Sequence, residues 1–145
     1  MSDSTIKMMK NILLLPRYIK RIVAIILDIS LCIFCTWLAF YLRLEEFVKI
    51  SITILPLLFS ISLAIPIFWL FGLYRAIFRF AGLSIFFSTA IAIFIYGLLY
   101  FSIIGIFGIQ NVPRSIGLIQ PLLLFFGIIS SRLLIKNLLS TGYSF

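Results

Sequence analysis

Few side chains in this sequence could take part in chemistry, and all lie in or beside long apolar segments. Asp28 is the one formally charged residue well inside such a segment, where a carboxylic acid could couple a proton or a substrate to transport. Cys32 and Cys35 have the C-x-x-C spacing of redox-active dithiols, a chemistry that needs solvent and a strand-helix setting. Arg75 and Arg79 are four residues apart, so on a helix they would share one face and could hold a phosphate.

A structural role explains each of these groups more simply. Asp28 lies seven residues after Arg21, about 10 Å along a helix, which matches the depth of Arg132 near the end of the last apolar segment. We therefore predict an ion pair between Asp28 and Arg132, with a transport acid, or a neutral or snorkelling acid, as the alternatives. In an apolar helix the two cysteines are typical of packing residues. The residues predicted to anchor the chain at lipid headgroups are Arg17, Lys20, Arg21, Tyr74, Arg75 and Arg79.

No catalytic machinery is evident in the sequence. Histidine is absent, which removes the usual general base and the commonest metal ligand. There is no Walker loop and no G-x-G-x-x-G motif, and Glu45 and Glu46 are adjacent, so their carboxylates point apart. We accordingly expect no catalytic, cofactor-binding or metal-binding residue in this chain, and no enzymatic activity.

The elements that position these residues are four apolar runs. Of the 145 residues, 63% are hydrophobic, and the mean hydropathy is +1.27. The first run, residues 22–42, would extend about 31 Å as a helix, enough to cross a hydrocarbon core of about 30 Å. Similar runs follow at about residues 50–73, 83–107 and 115–134. The predicted fold is therefore an all-α membrane protein with four transmembrane helices over residues 22–134.

The basic residues predict the orientation of these helices. A cytoplasmic N-terminus would place Lys7, Lys10, Arg17, Lys20, Arg21, Arg75, Arg79, Arg132 and Lys136 on the cytoplasmic side, and Arg43, Lys49 and Arg114 on the other. Because the loops are short, this bias predicts that both termini of a multi-pass membrane protein are cytoplasmic. The net charge of +8 is then explained by the lipid bilayer as partner, and we expect no nucleic-acid partner.

Two further expectations concern the segments outside the helices. Residues 1–21 are predicted to be a basic cytoplasmic lead-in. In it, residues 1–10 are short and polar with a disordered start, and residues 11–21 form a partly amphipathic segment on the membrane surface. Residues 135–145 are predicted to begin a cytoplasmic linker.

Packing between the spans is also predicted by residue type. Pro56 and Pro66 predict kinks in the second span, with nearby serines such as Ser60 bonding the carbonyls that proline frees. Small residues recur at spacing four in the third span, which predicts a helix–helix face that could also join two copies of the chain. That face comprises Ser84, Ser88 and Ala92 and continues into Tyr96 and Tyr100.

The order of short motifs along the chain resembles a known family. The first span is preceded by Lys20-Arg21, contains Asp28 and ends at Arg43. The second span is followed by Gly72-Leu73-Tyr74-Arg75 and Arg79. The fourth span is preceded by Val112-Pro113-Arg114-Ser115 and ends with Ser131-Arg132. Over about residues 16–139 this pattern resembles the N-terminal membrane region of the CapD-like polysaccharide biosynthesis proteins. These are membrane-bound nucleoside-diphosphate-sugar 4,6-dehydratases and epimerases.

The resemblance implies a cytoplasmic Rossmann-type domain after the spans, which binds NAD(P) and dehydrates a UDP-sugar. This sequence stops at Phe145, about where that domain would begin, so we expect a fragment, a truncated reading frame or an anchor region acting alone. The implied function is that of a catalytically inert, multi-pass anchor in a bacterial inner membrane, with NAD(P) bound only by the missing domain. Two alternatives stay open: a small four-span flippase or transporter of lipid-linked sugars, and the membrane anchor of a phosphoglycosyl transferase.

Overall fold

The computed structural model describes residues 3–73 and 83–143, and these residues are almost entirely helical. The helices are α1 (Asp3–Leu13), α2 (Arg17–Leu44), α3 (Ile50–Leu70), α4 (Leu83–Phe101) with a π-helical continuation (Ser102–Phe107), and α5 (Ile116–Tyr143). Four stretches are long and apolar enough to cross a membrane: Arg17–Leu44, Ile50–Leu70, Phe86–Phe107 and Ile116–Ile135. The predicted all-α fold with four membrane-spanning helices is confirmed. The cytoplasmic location of the termini stays a prediction.

The four long helices pack in chain order around one core. α2 contacts α3, α3 contacts α4, and α4 contacts α5, which returns to pack along α2. Since consecutive spans run in opposite directions, one end of the bundle carries Arg17 and Leu70, and we call it the terminal end. The other end carries Arg43, Arg114 and the turn at Gly108, and we call it the loop end.

The core fits small residues on one helix against large ones on another. α2 contributes Ala24, Cys32, Cys35 and Ala39, whereas α4 contributes Ile93, Tyr96 and Tyr100, all of them buried. At one point α2 and α5 approach closely, since a Cβ added to Gly127 would lie 3.3 Å from Leu31 Cδ2. Large apolar side chains such as Phe87 and Phe94 face outward, as expected for helices solvated by lipid.

The lead-in differs from its sequence-based prediction. Residues 3–13 form a helix, and the chain breaks at Pro16, so that Arg17 to Arg21 belong to the first turns of α2. Proline lacks an amide hydrogen and is tolerated next to a helix start, which explains why α2 begins directly after it. The charge boundary at Arg21 predicts a later start because it marks the edge of the hydrocarbon and not the end of the helix. Helices in fact extend beyond the hydrocarbon into the headgroup region.

The other boundaries shift for similar reasons. α3 ends at Leu70 rather than at residue 73, and Gly72 has a φ of 68°, a left-handed value that glycine adopts at little cost. α5 continues to Tyr143, past the predicted end of its apolar run at residue 134, so the start of the predicted linker is helical. At the loop end, Glu45 ends α2 in the left-handed region with its N–H donating to the Tyr41 carbonyl at 2.8 Å.

Candidate functional site

Two clusters of polar side chains lie inside the described part of the bundle, apart from the buried Thr36 and Thr89, and the first is an ion pair. Arg132 Nη2 on α5 donates to Asp28 Oδ2 on α2 at 3.1 Å. The two side chains are only 9% and 2% exposed, so both charges have been removed from water. Such a pair tolerates the loss of neither partner, because the remaining charge would stay in a low-dielectric interior. The two residues whose depths match in the sequence are thus brought together by the structure.

The second cluster is a ring of three hydrogen bonds that joins α3, α4 and α5. Tyr96 OH donates to Gln120 Oε1 at 2.8 Å, and Gln120 Nε2 donates to Ser60 Oγ at 2.9 Å. The third contact, between Ser60 Oγ and Tyr96 OH, is 2.8 Å long. Because the one hydroxyl hydrogen of Tyr96 points to Gln120, Ser60 is the donor in this contact. Donation therefore runs in one direction around the ring.

All three ring residues are fully buried. In a closed cycle of this kind, each hydrogen bond polarises the next. The hydroxyl and amide groups that form the ring are therefore buried together with their hydrogen-bond partners. Tyr100 adds a weaker contact, in which its hydroxyl donates to the Pro56 carbonyl at 3.4 Å. The ring thus connects the three helices that follow the first loop.

The ring corrects one sequence-based expectation and adds a residue that sequence reasoning missed. The Ser60 hydroxyl bonds Tyr96 and Gln120 rather than a backbone carbonyl freed by proline. Gln120 received no role from the sequence, although it is the one amide side chain within the four predicted apolar runs. An amide in such a run needs a partner within the protein, and that requirement is the signal that could have identified it.

Comparison of the chain with known proteins finds no matching family model, no significantly similar curated protein and no significantly similar solved structure.

The other residues singled out by the sequence fall into three groups. Cys32 and Cys35 are free thiols buried in the core, where Cys32 lies beside Ser60. Arg17, Lys20 and Arg21 lie in the first turns of α2, with Arg17 exposed. The predicted anchors Tyr74, Arg75 and Arg79 lie outside the described residues.

The small-residue face predicted for the third span is confirmed where the structure describes it. Ala92, Tyr96 and Tyr100 are buried at the centre of the bundle, and Ser88 is half-buried. The Ser84 side chain lies outside the described part. These residues pack within one chain, so association of two copies, which stays a prediction, would need another surface. Among the described residues there is no group of three or more His, Cys, Asp or Glu side chains that could hold a metal ion.

Proposed function

We propose that this chain is the membrane anchor region of a polysaccharide-biosynthesis protein of the nucleotide-sugar dehydratase or epimerase type. It would hold its termini on the cytoplasmic side of a bacterial inner membrane and carry no catalytic residues of its own. Support comes from the order of motifs that resembles the CapD-like proteins, and from the excess of cations predicted for the side that holds both termini.

One structural observation carries the choice of an anchor over a transporter. A transporter needs polar groups that face a path through the membrane and that exchange partners with a solute. Here the interior hydroxyl and amide groups of Ser60, Tyr96 and Gln120 bond one another in a closed ring. Asp28 is bound to Arg132. These polar groups join helices, which is the role expected in a static anchor.

Topology reporters test the orientation on which the proposal depends. We expect green fluorescent protein fused after Tyr143 to fluoresce in a bacterial inner membrane, and alkaline phosphatase at the same position to be inactive. Fusions after Phe47, in the loop between α2 and α3, serve as the matched control and should give the opposite result. Active phosphatase after Tyr143 would contradict the proposal.

Two assays on the purified chain separate the anchor from its rivals. We expect no saturable binding of NAD by the chain in detergent, and no flux of a lipid-linked sugar across vesicles that contain it. Saturable NAD binding would overturn the assignment of an inert anchor. Protein-dependent transfer of the sugar lipid between leaflets would instead favour the flippase alternative.

A further inference from the structure

An apolar groove runs along the outer surface of the bundle between α4 and α5. It has a volume of about 780 Å³ and is open to the outside of the bundle. Gly97, Gly117 and Pro121 lie along the line where the two helices meet, and Phe94, Phe101 and Phe125 also line the groove.

Close contact between the helices gives the groove a floor. A Cβ added to Gly97 would lie 3.3 Å from Pro121 Cβ, and one added to Gly117 would lie 3.1 Å from the backbone nitrogen of Gly105. The helices therefore touch beneath the groove. Its walls are accessible from outside, since Phe94 is 67% exposed. The groove is thus a furrow on the lipid-facing surface of a closed bundle.

The dimensions of the groove match one half of a bilayer. Its lining on α4 extends from Ala90 to Phe101, which is about 16 Å at the rise of an α-helix. A hydrocarbon core is about 30 Å thick, so one leaflet contributes about half of that. On α5 the lining begins at Gly117, next to the loop end of the bundle. On α4 the lining lies near the middle of the Phe86–Phe107 span. The groove therefore has about the length of one lipid chain, and it reaches the loop end along α5.

Two arginines lie where the groove reaches the loop end. Arg43 Nε donates to Ser115 Oγ at 2.7 Å, which brings its guanidinium beside the first turn of α5. Arg114 directly precedes Ser115, and its Nε lies 3.7 Å from the position that a Gly108 Cβ would occupy. Both side chains are exposed, and within residues 3–73 and 83–143 neither forms a salt bridge. Glu45 and Glu46 also lie at the loop end, but no salt bridge joins either arginine to them in the described part of the chain. Unpaired cations at the membrane surface attract phosphate.

We propose that the groove binds one hydrocarbon chain of a phosphate-bearing lipid, whose phosphate contacts Arg43 and Arg114. The groove supplies apolar contact over the length of one chain, and the arginines supply charge at the depth of the headgroup. A second copy of the protein fits the same surface less well. Two copies inserted in one orientation and related by a two-fold axis would bring both arginine pairs together at the same depth, where like charges repel. This inference does not depend on the proposed function.

The charge half of the proposal is tested by a lipid competition. The purified full chain in detergent is mixed with equal amounts of phosphatidylglycerol and phosphatidylcholine of identical chains, and the lipids retained are counted by native mass spectrometry. We expect phosphatidylglycerol to be preferred. Arg114→Gln should lower this preference about fivefold, the effect expected for one cation near an anionic headgroup. Lys49→Gln, which removes another loop-end cation, should leave it unchanged.

The groove half is tested by a matched pair of substitutions. Leu122 lines the groove and Leu58 faces lipid on α3, and each is 59% exposed. Leu122→Trp should fill the groove and reduce retention of both lipids, whereas Leu58→Trp should not. Circular dichroism and gel filtration show whether both variants fold. If Leu122→Trp does not fold, the Arg114→Gln variant still tests the proposal.

Four outcomes would overturn the proposal. Equal retention of the two lipids by the unmodified chain would exclude recognition of the phosphate. Equal effects of Leu122→Trp and Leu58→Trp would exclude the groove. Displacement of phosphatidylglycerol by equimolar glycerol phosphate would show a site for the anion alone. A dimer that only Leu122→Trp converts to monomer would assign the groove to contact between two copies.

Discussion

Replacing Tyr96 with phenylalanine tests whether the Ser60–Tyr96–Gln120 ring stabilises the bundle. The change keeps the aromatic ring, whose centroid lies 5.6 Å from that of Tyr100, and removes a hydroxyl that takes part in two of the hydrogen bonds. Hydrogen bonds between membrane helices average about 0.6 kcal/mol, so the two lost bonds account for about 1.2 kcal/mol. The Gln120 carbonyl and Ser60 hydroxyl would also lose this buried partner. The free energy of unfolding should therefore fall by about 1–3 kcal/mol.

The free energy of unfolding can be measured by titrating SDS into the protein in mixed micelles and following circular dichroism. Tyr100→Phe is the matched control, because Tyr100 is equally buried on the same helix. Its hydroxyl makes only the 3.4 Å hydrogen bond to the Pro56 carbonyl among the described residues. Its loss should stay below about 0.5 kcal/mol. The triple change Ser60→Ala/Tyr96→Phe/Gln120→Leu should cost less than the sum of the three single changes, since no ring member is left without a partner. Equal losses for the two tyrosine variants, or a strictly additive triple variant, would refute this reasoning.

Three further predictions use the same preparation. Asp28→Ala should cost about 3–5 kcal/mol, and the charge swap Asp28→Arg/Arg132→Asp should give more folded protein by gel filtration than either single swap; equal yields would argue against the pair. Gly127→Val should lower the free energy of unfolding by about 1–3 kcal/mol, because a Cβ there meets Leu31 at 3.3 Å; an unchanged SDS midpoint would mean that α2 and α5 separate easily. Glu45→Gly should raise the free energy of unfolding by about 0.5 kcal/mol, since glycine adopts the φ of 56° at this position at little cost. A lower SDS midpoint of unfolding would contradict this.

The number and type of the helices could be predicted because the bilayer imposes them. An apolar run of about 20 residues must satisfy its backbone hydrogen bonds internally, and its length must match the hydrocarbon thickness. The contact between Asp28 and Arg132 was predictable for a related reason. Helical rise converts sequence position into depth, so two charges on different spans can be compared without knowing the packing. The ends of the helices lie outside the hydrocarbon, where this constraint no longer acts. There, local features such as Pro16 determine the boundary.

The hydrogen-bonded ring could not be predicted in the same way. Depth alone brings many residues to one level, whereas the ring also requires that three helices turn specific faces toward one another. The rotation of each helix follows from packing between small and large side chains, such as the close approach of Gly97 to Pro121. Sequence reasoning identified the inward face of α4 through Ala92, Tyr96 and Tyr100 but assigned no partner on α5. It therefore predicted one member of the ring as an interface residue and left Gln120 out.

The length of α5 has a mechanical consequence for whatever polypeptide follows Tyr143 in a longer protein. The helix has 28 residues and extends roughly 42 Å, more than the hydrocarbon core is thick. Its last turns would stand above the bilayer as a stiff post that is continuous with the membrane-embedded part. The helix would set both the distance of an attached domain from the membrane and its orientation about the helix axis. Each residue inserted into this part of the helix would rotate the attached domain by about 100° and move it about 1.5 Å farther from the membrane. The helix would therefore fix the orientation of that domain relative to the bundle.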